Sequence, residues 1–101
     1  MTNKIPKILS IAGSDCSSGA GIQADIKTIQ SLGGYCSTVI TSVTSQDSKR
    51  VYDAYSIPEE IVKSQLLAIH KDIGFDAVKI GLVPNIKIAI EIYNFFKNKN
   101  I

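Results

Sequence analysis

The sequence predicts an α/β domain built on a mostly parallel sheet. Three observations carry this. Short apolar, β-branched runs alternate with helical stretches in the order β-α-β-(β)-α-β-α, the pattern of a parallel sheet with crossover helices. The apolar runs break at Gly13-Ser14, at Thr44-Ser45 and at Gly81, as strand carboxyl ends do. The 101 residues are 45% hydrophobic and 20% charged, which suits a globular domain and not a disordered chain.

Residues 7–13 read as the first strand, apolar and covered on both faces. Ser17 or Ser18 is placed to cap a helix that starts near Gly19 and runs to about Leu32, where Gly33-Gly34 ends it. At 100° per residue Ile22, Ile26, Ile29 and Leu32 share one arc. Asp25 falls inside that arc, while Gln23, Lys27 and Gln30 point away from it. Residues 35–43 are strand-like and lead into a polar loop over 44–50. Residues 51–56 form a short strand candidate. Pro58 and Glu59 open a second helix, with Ser56 available as its cap. Ile61, Leu66, Ile69 and Ile73 supply much of its apolar side, and Gly74 ends it. Residues 76–82 read as a third buried strand ending in a glycine. Pro84 and Asn85 introduce a third helix with Ile86, Ala89, Ile90, Tyr93 and Phe96 along one face. Asn98-Lys99-Asn100 is a polar exit, and Ile101 reads as the first residue of a further strand. Residues 1–101 are therefore expected to be the first half of a larger α/β domain.

Composition excludes several function classes. The net charge of +2, with lysines and arginines scattered, gives no footprint for nucleic acid or an anionic membrane. No apolar stretch reaches the length of a membrane span. The first seven residues carry no signal-peptide pattern, so a cytoplasmic location is expected. Cys16 and Cys36 follow no metal-ligand spacing, and a cytosolic pair is expected reduced. Cys36 opens an apolar run and reads as a buried structural thiol. Cys16 lies in the glycine loop, but a nucleophile needs an activating neighbour. The single histidine, His70, falls far away on a surface helix.

In parallel sheets ligands bind beyond the carboxyl ends of the strands. That rule brings three loops, 13–20, 44–47 and 81–83, to one rim. The glycine loop between Gly13 and Gly21 is not a P-loop, since no Gly-Lys-Ser/Thr follows. It also lacks the acidic residue that completes a dinucleotide fingerprint. An anion site and a tight strand-to-helix turn both remain open. Asp25 on the inward arc needs a partner, because an unpaired buried carboxylate is costly. A backbone amide or a lysine would serve, as would a hydroxyl or amine of a ligand. Gln46 carries donor and acceptor together and can read the edge of a heterocycle, although most loop glutamines are simply solvated.

The string Ser10-Ile11-Ala12-Gly13-Ser14-Asp15 with Ser18-Gly19-Ala20-Gly21-Ile22-Gln23-Ala24-Asp25-Ile26-Lys27-Thr28 closely resembles the opening of the hydroxymethylpyrimidine/phosphomethylpyrimidine kinases of thiamine biosynthesis. Residues 39–46 and 78–82 resemble that family in order and spacing. The resemblance implies the N-terminal half of a ribokinase-like three-layer α/β sandwich. It implies ATP, with Mg2+, as phosphoryl donor to the pyrimidine hydroxymethyl group and then to the monophosphate. It also implies a substrate site. Gln46 would bond the aminopyrimidine edge, Gly13 and Thr44 would offer backbone contacts, Asp25 would face polar groups, and Ala20 and Leu82 would line the pocket. Thr44 stands where an apolar residue is more usual, Cys16 where proline is common and Ser18 where glycine is common.

Family members are more than twice as long, and their anion hole, catalytic residue and most of their ATP surface lie in the C-terminal half. No catalytic residue is therefore assigned here. The leading expectation is a substrate-side segment, inactive alone, completed by a C-terminal fragment or acting within a homodimer. The alternatives are one chain of a split kinase, a non-catalytic pyrimidine-binding module, and a chain that folds poorly by itself.

Overall fold

The computed structural model describes residues 4–99. Asn100 and Ile101, where the polar exit ends and a further strand is expected, lie outside them. The order is β1 (Lys7–Asp15), α1 (Gly21–Ser31), β2 (Tyr35–Gln46), β3 (Val51–Ser56), α2 (Glu59–Lys71), β4 (Ala77–Ile80) and α3 (Ile86–Phe96). The strands form one sheet in the order β3-β2-β1-β4. β1 is parallel to both β2 and β4, and β3 returns antiparallel to β2. The mostly parallel sheet expected from the sequence is thus present.

Alternation along β1 divides the layers. Leu9 and Ile11 join Val39, Val62, Leu66, Ile88 and Ile92 in the buried core beneath α2 and α3. Ser10, between them, points the other way and bonds Asp25 of α1. So α1 covers one face and α2 with α3 the other.

The β1–β2 ladder is irregular at one point. Ala12 pairs with Ile40, and the next pair is Ser14 with Val43. Two residues of β2, Thr41 and Ser42, therefore stand opposite Gly13, a bulge of the kind that re-aims a strand end. Beyond it both strands run on past their expected ends, β1 to Asp15 and β2 to Gln46. Thr44 is thus a strand residue paired with Asp15, not a loop residue.

Several expectations need correction. Neither Ser17 nor Ser18 caps α1. Its N-cap is Ala20 in extended conformation with no side-chain cap, because Ser17 is already committed to Asp15. Ser56 stays in β3, and Pro58 occupies the N-cap of α2 without a side-chain bond. The arc of α1 is only partly used. Ile22 is buried, whereas Ile26 is exposed and Leu32 is 82% exposed, since among the described residues no second helix shares that face. On α2 the buried pair is Val62 and Leu66, and Ile61 is exposed.

The third helix turns most of its expected stripe outward, although Phe96 packs against the core. Ile88 and Ile92 are buried, while Ile86, Ile90 and Tyr93 are exposed. Only Lys87, Glu91 and Asn94 interrupt its apolar residues, so periodicity selects no face and contact with α2 decides. β4 is not buried on both faces. It is the sheet's edge, and Ile80 is half exposed there. Val78, Ile80, Ile92, Tyr93, Phe96 and Lys97 line an open apolar cleft between this edge and α3.

Candidate substrate cavity at the strand ends

The three loops that the sequence places on one rim do meet. A cavity of about 180 Å³ is lined by Ala12 to Asp15 of β1, Ala20 and Gly21 of the glycine loop, Thr44 and Gln46 of β2, and Lys79, Gly81 and Leu82 at β4. It sits beyond the carboxyl ends of three parallel strands, the general ligand position in such sheets. Of the residues assigned from sequence, Gly13, Ala20, Thr44, Gln46 and Leu82 all line it. Asp25 does not. It lies behind the wall, where its Oδ2 accepts from Ser10 Oγ at 2.6 Å and pairs with Lys79 Nζ at 2.9 Å. The lysine partner allowed by the sequence reading is the one realised.

Asp15 organises the glycine loop. Its Oδ1 accepts from the Ser17 amide at 2.9 Å and the Ser17 hydroxyl at 2.7 Å, and its Oδ2 from the Ala20 amide at 2.8 Å. The Ser17 hydroxyl is the largest influence holding this carboxyl below its ordinary value. Desolvation opposes it, and the amides of Ser17, Ala20 and Gly19 add to the lowering. The loop thus spends its own carboxylate internally. Ser18 takes a left-handed φ of 67° and its carbonyl accepts from Lys27.

Gly21 is required by space as well as conformation. Its φ is +62°, and a Cβ there would run into the Gly13 carbonyl oxygen and come within 3.3 Å of the Asp15 amide. Close packing of the helix start on the strand end depends on that absence. At Gly13 a Cβ would stand 3.1 Å from Leu82 Cδ2, so a bare residue lets Leu82 close over the strand end.

Sequence reasoning missed three residues. Gln23, expected to face away, turns back to the strand end. Its Oε1 accepts from the Asp15 amide at 2.8 Å and its Nε2 donates to Ser14 Oγ at 2.7 Å. A polar residue one turn inside a helix beside a strand end was the available signal. Cys16 lies with Sγ 3.3 Å from the Gln46 amide and 3.2 Å from its carbonyl, tying the glycine loop to the end of β2. Lys79 lines the cavity, and its position two residues before Gly81, on the same face of the strand, could have flagged it.

The rim is cross-braced. Thr41 Oγ1 donates to the Leu82 carbonyl at 2.7 Å, and the Gly81 amide to that of Ile11 at 2.7 Å. The Thr44 hydroxyl stands 2.8 Å from both the Ser14 carbonyl and Gln46 Oε1. Its single hydrogen serves one at a time, and among the described residues Gln46 Nε2 has no hydrogen-bond partner. Ser42 Oγ is buried with no partner among the described residues.

The cysteines are free: Cys16 is exposed and Cys36 half-buried. Burial, with the nearby Asp25 charge, pushes the Cys36 thiol up. His70 packs its ring against Phe75 and Phe95, away from the cavity. Among the described residues no group of three or more His, Cys, Asp or Glu could hold a metal ion. Nor is any helix among them long and apolar enough to cross a membrane.

This geometry has close counterparts. The family model described as phosphomethylpyrimidine kinase matches residues 15–101. A hydroxymethylpyrimidine/phosphomethylpyrimidine kinase of Aquifex aeolicus is 44% identical over 91 residues, 90% of this chain and 36% of that protein. A probable thiamine biosynthetic bifunctional enzyme of rice chloroplasts is 46% identical over 84 residues, 83% of this chain but 15% of that protein. Among solved structures, the phosphomethylpyrimidine kinase of Clostridium difficile superposes with a TM-score of 0.88 at 46% identity, over 93% of this chain and 40% of that one. The pyridoxal kinase of Staphylococcus aureus, solved with AMP-PCP and pyridoxal, follows at 0.84 and 33%, over 97% and 37%. The architecture is therefore that of the ribokinase-like vitamin kinases. This chain spans well under half the length of each of these relatives. With its glycine loop, strand ends and closing Leu82 arranged on that shared frame, the chain belongs to the phosphomethylpyrimidine kinase family.

Proposed function

We propose that this chain supplies the substrate-side portion of a hydroxymethylpyrimidine/phosphomethylpyrimidine kinase, which uses ATP to phosphorylate an aminopyrimidine on the route to thiamine diphosphate. The cavity carries the reading. Five of the six substrate residues assigned from sequence line one recess at the strand ends.

Gln46 reads the amino and ring-nitrogen edge of the pyrimidine, with Thr44 fixing its carboxamide. Leu82 and Ala20 cover the ring faces and exclude water. The Gly13 and Thr44 backbones approach the ring edge. Asp25 acts from behind, through Lys79. ATP supplies the phosphoryl group, with Mg2+ as its counterion. Phosphoryl transfer itself rests on positioning and charge stabilisation, and most of those groups belong to a further segment, in the same polypeptide or a second one. The free edge of β4 and its apolar cleft offer that segment a strand position. A cytoplasmic setting accompanies the reading.

Calorimetric titration with hydroxymethylpyrimidine tests it. Gln46→Ala removes two neutral hydrogen bonds worth about 1 kcal/mol each, so affinity falls at least tenfold. ATP-dependent turnover is expected once a polypeptide covering the rest of a family kinase is added. Absence of binding at millimolar ligand, or unchanged affinity in Gln46→Ala, overturns the reading.

A further inference from the structure

We propose that Lys79 is a ligand-contacting residue of this cavity, its ammonium donating a hydrogen bond to an uncharged acceptor at the end of the ring away from Gln46. The acceptor is a ring nitrogen or the hydroxymethyl oxygen. The inference rests on the pyrimidine reading above.

Position comes first. Lys79 on β4 is paired in register with Ser10 on β1, so both side chains project to the α1 side of the sheet. Asp25 reaches down from α1 and takes both, Ser10 Oγ at 2.6 Å and Lys79 Nζ at 2.9 Å. Lys79 lines the cavity and Asp25 does not. Nζ stands beside Gly81, another lining residue, so the group presented to a guest is the ammonium, with the carboxylate behind it.

Availability follows. An ammonium has three N–H donors, and Asp25 is the hydrogen-bond partner that the structure gives this one. The lysine side chain is half exposed. Gly81 keeps its flank open, since a Cβ there would lie 3.2 Å from Nζ. Lys79 is the one cation among the lining residues, and the other charged liner, Asp15, turns both oxygens into its own loop.

Charge then selects the kind of acceptor. A carboxylate 2.9 Å away neutralises the lysine and would oppose an incoming anion. The pair suits a neutral acceptor, which gains a charge-assisted donor without having to balance a bare charge. Gln46 on β2 and Lys79 on β4 flank the central β1. A ring read by Gln46 along one edge offers its far end to Lys79.

The test compares hydroxymethylpyrimidine with two analogues, one with methyl in place of hydroxymethyl and one with C–H in place of the ring nitrogen remote from the amino edge. Calorimetry is run on the full chain, on Lys79→Met, on the double variant Lys79→Met with Asp25→Asn, and on Gln46→Ala, with circular dichroism reporting the fold. The unaltered chain should prefer the parent over one analogue by about tenfold to a hundredfold, the worth of one charge-assisted bond. The analogue that loses affinity identifies the acceptor. In Lys79→Met and in the double variant, which leaves no orphaned carboxylate, that preference should vanish. In Gln46→Ala all three ligands should weaken alike and the preference should persist. A preference unchanged in both lysine variants, or absent from the unaltered chain, overturns the role of Lys79 and leaves the pyrimidine reading standing. Failure of the unaltered chain to bind any of the three overturns both.

Discussion

Replacing Gly21 by alanine tests whether the glycine loop depends on close backbone approach, and Gly33→Ala is its internal control. Both glycines have positive φ, +62° and +88°. Alanine at either therefore incurs about 1–2 kcal/mol for left-handed backbone, offset by up to about 1 kcal/mol from a less flexible unfolded chain. The surroundings differ. Among the described residues a Cβ at Gly33 has nothing within 4 Å, whereas at Gly21 it meets the Gly13 carbonyl group and the Asp15 amide. Forcing those apart adds about 1–3 kcal/mol, as overpacking does elsewhere. Urea unfolding followed by circular dichroism reads the difference. With a slope of about 1 kcal/mol per molar for a chain of this size, Gly21→Ala should unfold about 1–3 M earlier than Gly33→Ala. Under the proposed function it should also lose pyrimidine binding, since the Gly13 carbonyl edge is displaced. Equal midpoints for the two variants would refute the argument that the helix start is clamped onto the strand end.

Asp15 should make the glycine loop acid-sensitive. Its carboxyl is held below the ordinary 3.8, so the stability it contributes is fully present above that value and is lost as pH falls through the lowered native one. Asp15→Asn should remove this acid-side dependence, read as the difference in urea midpoint between the two proteins from neutral pH down to about pH 3. Leu66→Ala should destabilise by about 2–5 kcal/mol, because the side chain is fully buried in the core. The neighbouring Leu67→Ala, half exposed, should change the midpoint little, within about 0.5 kcal/mol for a surface position. Alkylation with iodoacetamide followed by peptide mass spectrometry should label exposed Cys16 before Cys36, whose thiol is half-buried and pushed up.

Element order was legible because each strand and helix of this chain carries its own local period and its own breaker. Gly74 and Gly33 stop helices where the structure stops them. The convergence of the rim followed from topology alone. Helix faces were less legible. In α3 apolar residues surround the axis, and the choice of Ile88 and Ile92 over Ile86 and Ile90 is made by α2, a neighbour no local pattern describes. β4 reads as buried because Ala77, Val78 and Ile80 are apolar, yet its edge position leaves it open. In the site, Gln46 and Gly13 were legible from strand ends and the family resemblance. Gln23 and Lys79 were not, since each is placed by a partner on another element: Gln23 by Ser14 and Asp15 of β1, Lys79 by Asp25 of α1.

The bulge opposite Gly13 gives β2 one spare residue ahead of the cavity. Thr41 and Ser42 together occupy one step of the β1 ladder. Deleting either would restore a regular ladder and leave the later pairs in place, Val43 with Ser14 and Thr44 with Asp15. The local bend would go, and with Thr41 the bond to the Leu82 carbonyl. Losing Ser45 acts differently. Side chains alternate faces along a strand, so Gln46 would turn to the other face and away from the Thr44 hydroxyl. A codon lost at the bulge is absorbed by the sheet, whereas one lost a few positions later misplaces the end of the strand. Tolerance to deletion should therefore change sharply within β2.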